Sequence, residues 1–176
     1  MKRITLAAVL MFGVFVTGCA SFPKDDIEIA TEANPTYDFS AYQTYSWIGS
    51  AAVLNDPEGT WEAPGFDTDS LVTALINKQL AAHGLKFSDT GGDTLVAYAI
   101  GADMAQMKFE HDPTTDVEIL KKAPQSALVV VLLDAETEVI AWAAVAVADV
   151  QNKGDEVMKK RINYAINEMF KQFPKK

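Results

Sequence analysis

The sequence predicts an α+β domain: a mostly antiparallel β-sheet packed by two amphipathic helices, in the approximate order ββαβββα, forming a two-layer sandwich. Three observations predict it. Apolar residues recur at three- and four-residue spacing in two stretches, residues 71–80 and 158–173. A continuously apolar, β-branched run, residues 127–133, is followed after a short turn by a second apolar stretch, residues 139–150. Three shorter segments, residues 27–31, 44–48 and 94–100, carry alternating or aromatic, β-branched patterns. The 176 residues, 49% of them hydrophobic, suffice for one core and exclude a disordered or collagen-like chain. An excess of 24 Asp+Glu over 15 Lys+Arg argues against a nucleic-acid partner, whose phosphates are bound through clustered cations.

The elements follow in chain order. Ile27-Glu28-Ile29-Ala30-Thr31 alternates with the period of a half-buried strand, and Pro35 ends it. Thr44 to Ile48 reads as a second strand. Residues 49–65 carry Gly, Pro, Asn and Asp without a sustained period, which predicts a long surface loop. Asp67 or Asp69 can cap a helix with Leu71, Val72, Leu75, Ile76 and Leu80 on one face, closed by His83-Gly84. The Gly91-Gly92 pair reads as a turn before the third strand. Residues 104–126 are polar and give no clear element.

Residues 127–133 are expected as a central strand covered on both faces, and 139–150 as its antiparallel partner. That partner is rich in alanine, which lets a helix approach closely. The last helix starts near Asp155 and presents Met158, Ile162, Ala165, Ile166, Met169, Phe170 and Phe173 on one stripe, with Lys159, Lys160, Arg161 and Asn163 outside and Pro174 as its stop.

The first residues carry a different signal. Lys2 and Arg3 precede thirteen uncharged residues, 4–16, the pattern of a secretory signal peptide. As a helix this run would span roughly 20 Å, short of the ~30 Å hydrocarbon core. It ends in Val16-Thr17-Gly18-Cys19, which resembles the lipobox of bacterial lipoproteins. The resemblance implies cleavage between Gly18 and Cys19 and conversion of the Cys19 thiol to a diacylglyceryl thioether, with palmitate-type chains anchoring the protein to membrane. Cys19 is the only cysteine, so no intramolecular disulfide can form. The expected organisation is residues 1–18 as signal peptide, 19–26 as lipidated tether and 27–176 as a single domain. Loss of Lys2 and Arg3 leaves 13 Lys+Arg against 24 Asp+Glu, a formal charge of −11, which anionic headgroups should repel. Ala20 is not the aspartate that retains many such lipoproteins in the inner membrane, so the resemblance points to the outer membrane, the domain facing the periplasm.

Residues 37–47, Tyr-Asp-Phe-Ser-Ala-Tyr-Gln-Thr-Tyr-Ser-Trp, resemble the D-F-S-x-Y-x-T-Y-x-W opening of the DUF4136 family of bacterial lipoproteins. Residues 127–142, with an apolar strand, a D-A-x-T turn and Trp142, and the terminal Phe173-Pro174 are similar to that family as well. The resemblance implies a small α+β domain on a lipid anchor and brings no catalytic residues. The chain departs from the family at 104–126, where a Gly- and aromatic-rich segment is usual, and at Ala143-Ala144, which replace a basic residue and Gly.

Candidate sites are few. His111, in Glu110-His111-Asp112, lacks companions at zinc-ligand spacing, and a solvated loop accounts for it; His83 suits a helix C-terminus. No G-x-S-x-G elbow or phosphate-binding glycine loop occurs. The pairs Asp67/Asp69 and Asp155/Glu156 fit helix N-termini. The aromatic cluster Tyr37, Phe39, Tyr42, Tyr45 and Trp47 fits the core better than a binding face. Trp61 and Phe66, in the long acidic loop, are the candidates for contact with a partner. The reading is therefore a lipid-anchored envelope protein of unassigned activity, non-enzymatic, with no cofactor and no metal, acting through structural or protein contacts with envelope proteins. The alternative is a periplasmic module that binds a small molecule or lipid in a pocket of about 300 Å³ or more.

Overall fold

The computed structural model describes residues 22–112 and 117–175. Its elements are β1 (Glu28–Ala33), β2 (Thr44–Asn55), α1 (Thr68–Ala82), β3 (Lys86–Phe87), β4 (Thr94–Asp103), β5 (Met107–Asp112), β6 (Val117–Lys122), β7 (Gln125–Asp134), β8 (Ile140–Asp149) and α2 (Asp155–Lys171). Six strands form one mixed sheet in the order β1-β8-β7-β4-β2-β3, and β5-β6 form a separate hairpin. The pairs β1·β8, β8·β7 and β7·β4 are antiparallel. The pairs β2·β4 and β2·β3 are parallel, with α1 in the crossover that parallel neighbours require. The α+β class, the two helices and the two-layer arrangement agree with the sequence reading.

Local chemistry explains the helix limits. Asp67 accepts from the Ser70 N–H at 3.0 Å and caps α1, while Gly84 adopts φ 81° just beyond the His83 end. Asp69 does other work: it accepts from Tyr98 Oη and from Ser50 Oγ, joining α1 to β4 and β2. Asp155 and Glu156 occupy the first turn of α2, where the helix dipole favours negative charge.

Both helices cover one face of the sheet. Val72, Ile76 and Leu80 of α1 and Ala165, Ile166, Met169 and Phe170 of α2 pack on Val96, Tyr98, Leu128, Val130, Leu132 and Trp142. The aromatic segment belongs to this core: Phe39, Tyr42 and Tyr45 are buried, and Tyr45 Oη and Trp47 Nε1 both donate to Asn77 Oδ1, at 2.8 and 3.0 Å.

Four expectations are corrected. The long loop is shorter than expected, because β2 runs on to Asn55: a bulge between Trp47 and Gly49 keeps the strand in register with β4, and Gly101 admits the Val53 carbonyl, which a side chain there would meet at 2.6 Å. The unassigned region 104–126 contains the β5-β6 hairpin, whose pairs run from Met107–Lys122 to Asp112–Val117. Strand β7 is central, but helices cover only the face of Leu128, Val130 and Leu132; Val129, Val131 and Leu133 point to the opposite, half-exposed face.

Arg161 is buried, 9% exposed, and not on the outer face of α2. It stands four residues before Ala165, on the flank of the buried stripe, where its guanidinium finds a set of acceptors. It donates to Asp26 through two bonds of 2.8 and 2.6 Å, to the Pro23 carbonyl at 2.7 Å and to the Asp149 carbonyl at 3.2 Å. Asp26 also accepts from the Asp149 N–H at 3.0 Å. Upstream, Phe22 meets the Tyr164 ring edge-on and Lys24 Nζ lies 5.0 Å over it, so residues 22–26 are docked along α2.

The Arg161 hydrogen bonds and charge hold the Asp26 carboxyl at about 2, against 3.8 for a free aspartate. A depressed carboxyl stabilises the fold at pH values above its unfolded value, and that contribution disappears as pH falls through its native one. Replacing Asp26 by Asn should cost about 2 kcal/mol at pH 7. The difference from the wild type should shrink between about pH 4 and pH 2, as read by urea unfolding across that range.

Candidate functional site

The register of the sheet grades side-chain size along its covered face. Paired residues share a face, so β2, β4, β7 and β8 contribute four successive rows. The first is Trp47, Val96, Leu132 and Trp142. The second is Ser50, Tyr98, Val130 and Ala144. The third is Ala52, Ile100, Leu128 and Ala146, and the last is Leu54, Ala102, Ser126 and Ala148. Bulk thus falls from the first row to the last.

Helix α2 spans this gradient. Its C-terminal end meets the bulky row: Trp142 lies 5.0 Å from the Phe170 ring and 5.1 Å from Phe173, which in turn packs against Phe39 and His83. Its N-terminal half, with Met158, Ile162 and Ala165, stands over the small rows. A cavity of about 320 Å³ remains there, between helix and sheet. The alanines of β8 thus do not draw the helix in; the aromatic end holds it off the sheet, and the small rows leave space beneath its N-terminal half.

The third side of the cavity is the connection between β2 and α1, which supplies Trp61, Pro64 and Thr68. Asp56 organises this segment from within. Its carboxylate accepts from the Thr60 N–H at 3.0 Å and the Trp61 N–H at 2.7 Å, which holds the carboxyl below the usual aspartate range. Two outside ties fix it further: Glu58 pairs with Lys122 of the hairpin, and the Gly65 N–H donates to Asp155 Oδ1 at 3.1 Å.

The polar groups at the cavity are mostly committed elsewhere. The Arg161 charge is matched by Asp26. Ser126 Oγ donates to the Ala148 carbonyl at 3.2 Å, and Asp149 faces Lys108 Nζ at 3.8 Å. Gln151 differs: its Oε1 is buried and has no hydrogen-bond partner. A buried acceptor without a donor costs about 1–3 kcal/mol. Chemically the site is an apolar cleft, open beside the exposed Val53 and Leu54, whose lining also includes Trp61, Thr68 and Gln151.

The structure brings only one of the sequence-named residues to this chamber. Trp61 forms part of its wall, whereas Phe66, close by in the same segment, lies beneath Lys159 Nζ at 5.1 Å. His83 caps α1 with its ring 4.9 Å from Phe173. His111 lies on β5 opposite Glu118. Gly18 and Cys19 fall outside the described residues. Among the described residues no three His, Cys, Asp or Glu side chains converge, and no helix is long and apolar enough to cross a membrane. Sequence reasoning missed Asp56 and Gln151, and it placed Met158 and the alanines of the last strand in a packed core and not at a cavity. The alternating alanines of residues 144–148 were the available signal, but their meaning depends on what lies opposite.

The fold is similar to that of solved bacterial proteins. A DUF4136 family protein from Bacteroides thetaiotaomicron matches 84% of this chain and 96% of its own, at 10% identity and a TM-score of 0.56. PelC from Paraburkholderia phytofirmans, solved as a dodecamer, matches 81% and 95% at 11% identity and 0.48. Lipoprotein GNA1162 from Neisseria meningitidis matches 73% and 99% at 9% identity and 0.37. No curated protein matches the sequence. The family model for DUF4136, a domain of unknown function, matches residues 29–175, and the chain belongs to that family.

Proposed function

We propose that this chain is a lipid-anchored envelope lipoprotein that acts by binding and not by catalysis, and that its ligand is an apolar small molecule or lipid held between α2 and the sheet. The observation that carries the reading is the cavity. Its volume of about 320 Å³ lies within the range of small-molecule sites, and its walls are chiefly alanine, isoleucine, leucine and methionine side chains. The lipobox at residues 16–19 supports the anchor, and Ala20 supports residence at the outer membrane with the domain in the periplasm.

A second reading, contact with another envelope protein, rests on a different observation. Beyond Tyr45 the outer edge of β2 has no strand partner among the described residues, and Ile48, Val53 and Leu54 are 55%, 64% and 52% exposed along it. Such an uncharged edge is open to pairing with an extended segment.

Two experiments test the principal reading. Mass spectrometry of membrane-extracted protein should find the diacylglyceryl modification on Cys19, and Cys19→Ala should abolish it and release the chain to the soluble fraction. For the chamber itself, Ala146→Leu should alter stability by less than about 1 kcal/mol, because the added carbons enter existing space. Ala144→Leu, one row nearer the aromatic end, should destabilise by about 1–3 kcal/mol through overpacking, as read by chemical denaturation. Equal costs at the two positions would mean that no cavity exists in solution.

A further inference from the structure

We infer that the outer face of α2 lies against the anionic headgroups of the bilayer that holds the anchor; this deepens the reading of a lipid-anchored protein and rests on it. Two independent observations meet on that face. The first is where the charge sits. Residues 153–176 carry 7 Lys+Arg against 3 Asp+Glu, whereas residues 19–152 carry 6 against 21. The formal charge of −11 therefore combines an acidic body, −15, with a basic C-terminal segment, +4. Lys160, Tyr164 and Lys171 follow at intervals of four and seven residues, which places them on one side of the helix, away from the buried Ile166, Met169 and Phe170. Of the three acids in the segment, Glu156 and Glu168 pair with Lys159 and Lys171, and Asp155 holds the Gly65 N–H.

The second observation is where the chain leaves the domain. Phe22 meets Tyr164 edge-on with ring centroids 6.0 Å apart, Lys24 Nζ lies 5.0 Å over the same ring, and Arg161 holds the Pro23 carbonyl and Asp26. Phe22 and Lys24 thus sit on the side of α2 that carries Lys160 and Lys171. Three residue steps separate Phe22 from Cys19, a reach of at most about 11 Å. A domain tied so closely cannot hang clear of its bilayer, and the surface brought to the lipid is the one beside which the tether emerges. The acidic body does not oppose this placement. It lies behind a helix about 10 Å across, a Debye length or more at physiological salt, so its charge is largely screened at the headgroups while that of the lysines in front is not. Each cation at an anionic lipid surface favours contact about fivefold, so Lys24, Lys160 and Lys171 outweigh the neighbouring Asp25 and Glu168.

The test uses the lipidated chain, extracted from membranes and reconstituted in nanodiscs of phosphatidylcholine alone or with about one-third phosphatidylglycerol. A water-soluble acetylating reagent is added at neutral pH, and peptide mass spectrometry reads the rate of modification of each lysine. Lys24, Lys160 and Lys171 should react about fivefold more slowly in the anionic discs than in the neutral ones. Lys86 on β3, five strand spacings or about 24 Å from β1 at the opposite edge of the sheet, should react equally in both. Salt at about 0.5 M should remove the difference. Lys160→Glu combined with Lys171→Gln, both at exposed positions, should return Lys24 to its rate in neutral discs. Equal rates at Lys160 and Lys171 in the two discs, or a slowing of Lys86 as large as theirs, would overturn the inference and leave the anchor standing. A chain recovered without the diacylglyceryl group on Cys19 would refute the anchored reading and this inference with it.

Discussion

The separation of α2 from the sheet is set at one end of the helix and inherited by the other. Trp142, Phe170 and Phe173 pack as a wedge, closed by Phe39 and His83, and two interpenetrating aromatic surfaces cannot come closer without overlap. A helix of 17 residues transmits that distance along its length. Over the small rows of β4, β7 and β8 the side chains no longer reach across, and the gap becomes a chamber. The wedge also bears a local cost, since Trp142 Nε1 is buried without an acceptor. The surrounding ring contacts and the burial of about 1.5–3 kcal/mol per large side chain outweigh it.

Small side chains facing a helix would ordinarily let it settle onto the sheet, because unfilled volume forfeits dispersion contacts. Here each wall is held from outside the chamber. Arg161 ties α2 to residues 23–26 and to the end of β8, which pins the helix flank beside the cavity. Asp56 fixes the Trp61 backbone, and Asp155 and Lys122 fasten the same segment to α2 and to the hairpin. The Ala123 N–H extends the hairpin by donating to the Gln106 carbonyl, and Lys108 of the hairpin reaches Asp149 at the end of β8 at 3.8 Å. These polar ties lie at the rim and the aromatic wedge at the far end, and together they keep the shape of the cavity.

Most of the framework could be read from periodicity alone. The stripe of α2 from Met158 to Phe173, the Asp67 cap, the Gly84 terminus and the β7-β8 hairpin all follow from local pattern, because each is specified by residues close together in the chain. What escaped had non-local causes. Residues 49–55 carry a glycine and no helical or alternating period, and only pairing with β4 makes them a strand. Arg161 looks like a solvent residue until Asp26, 135 positions away, is placed against it. The hairpin of β5 and β6 was legible in principle, since Lys108, Phe109, Glu110 and Val117, Glu118, Ile119 alternate about Pro113, but its high charge concealed the pattern. The chamber was the least accessible feature. Alanine in a strand carries no sign of whether a neighbour will close on it, and that is decided by the bulk of a row three pairs away.

The polar groups around the cavity are used chiefly in structure. Around the chamber Asp26, Asp56, Asp69, Asp155, Arg161 and Ser126 each hold an identified structural bond, and a group so engaged is positioned to support a wall. Gln151 has an unspent bond but, as an amide, neither titrates nor acts as a strong nucleophile. What these residues leave between helix and sheet is an apolar wall whose shape is kept by bonds already made.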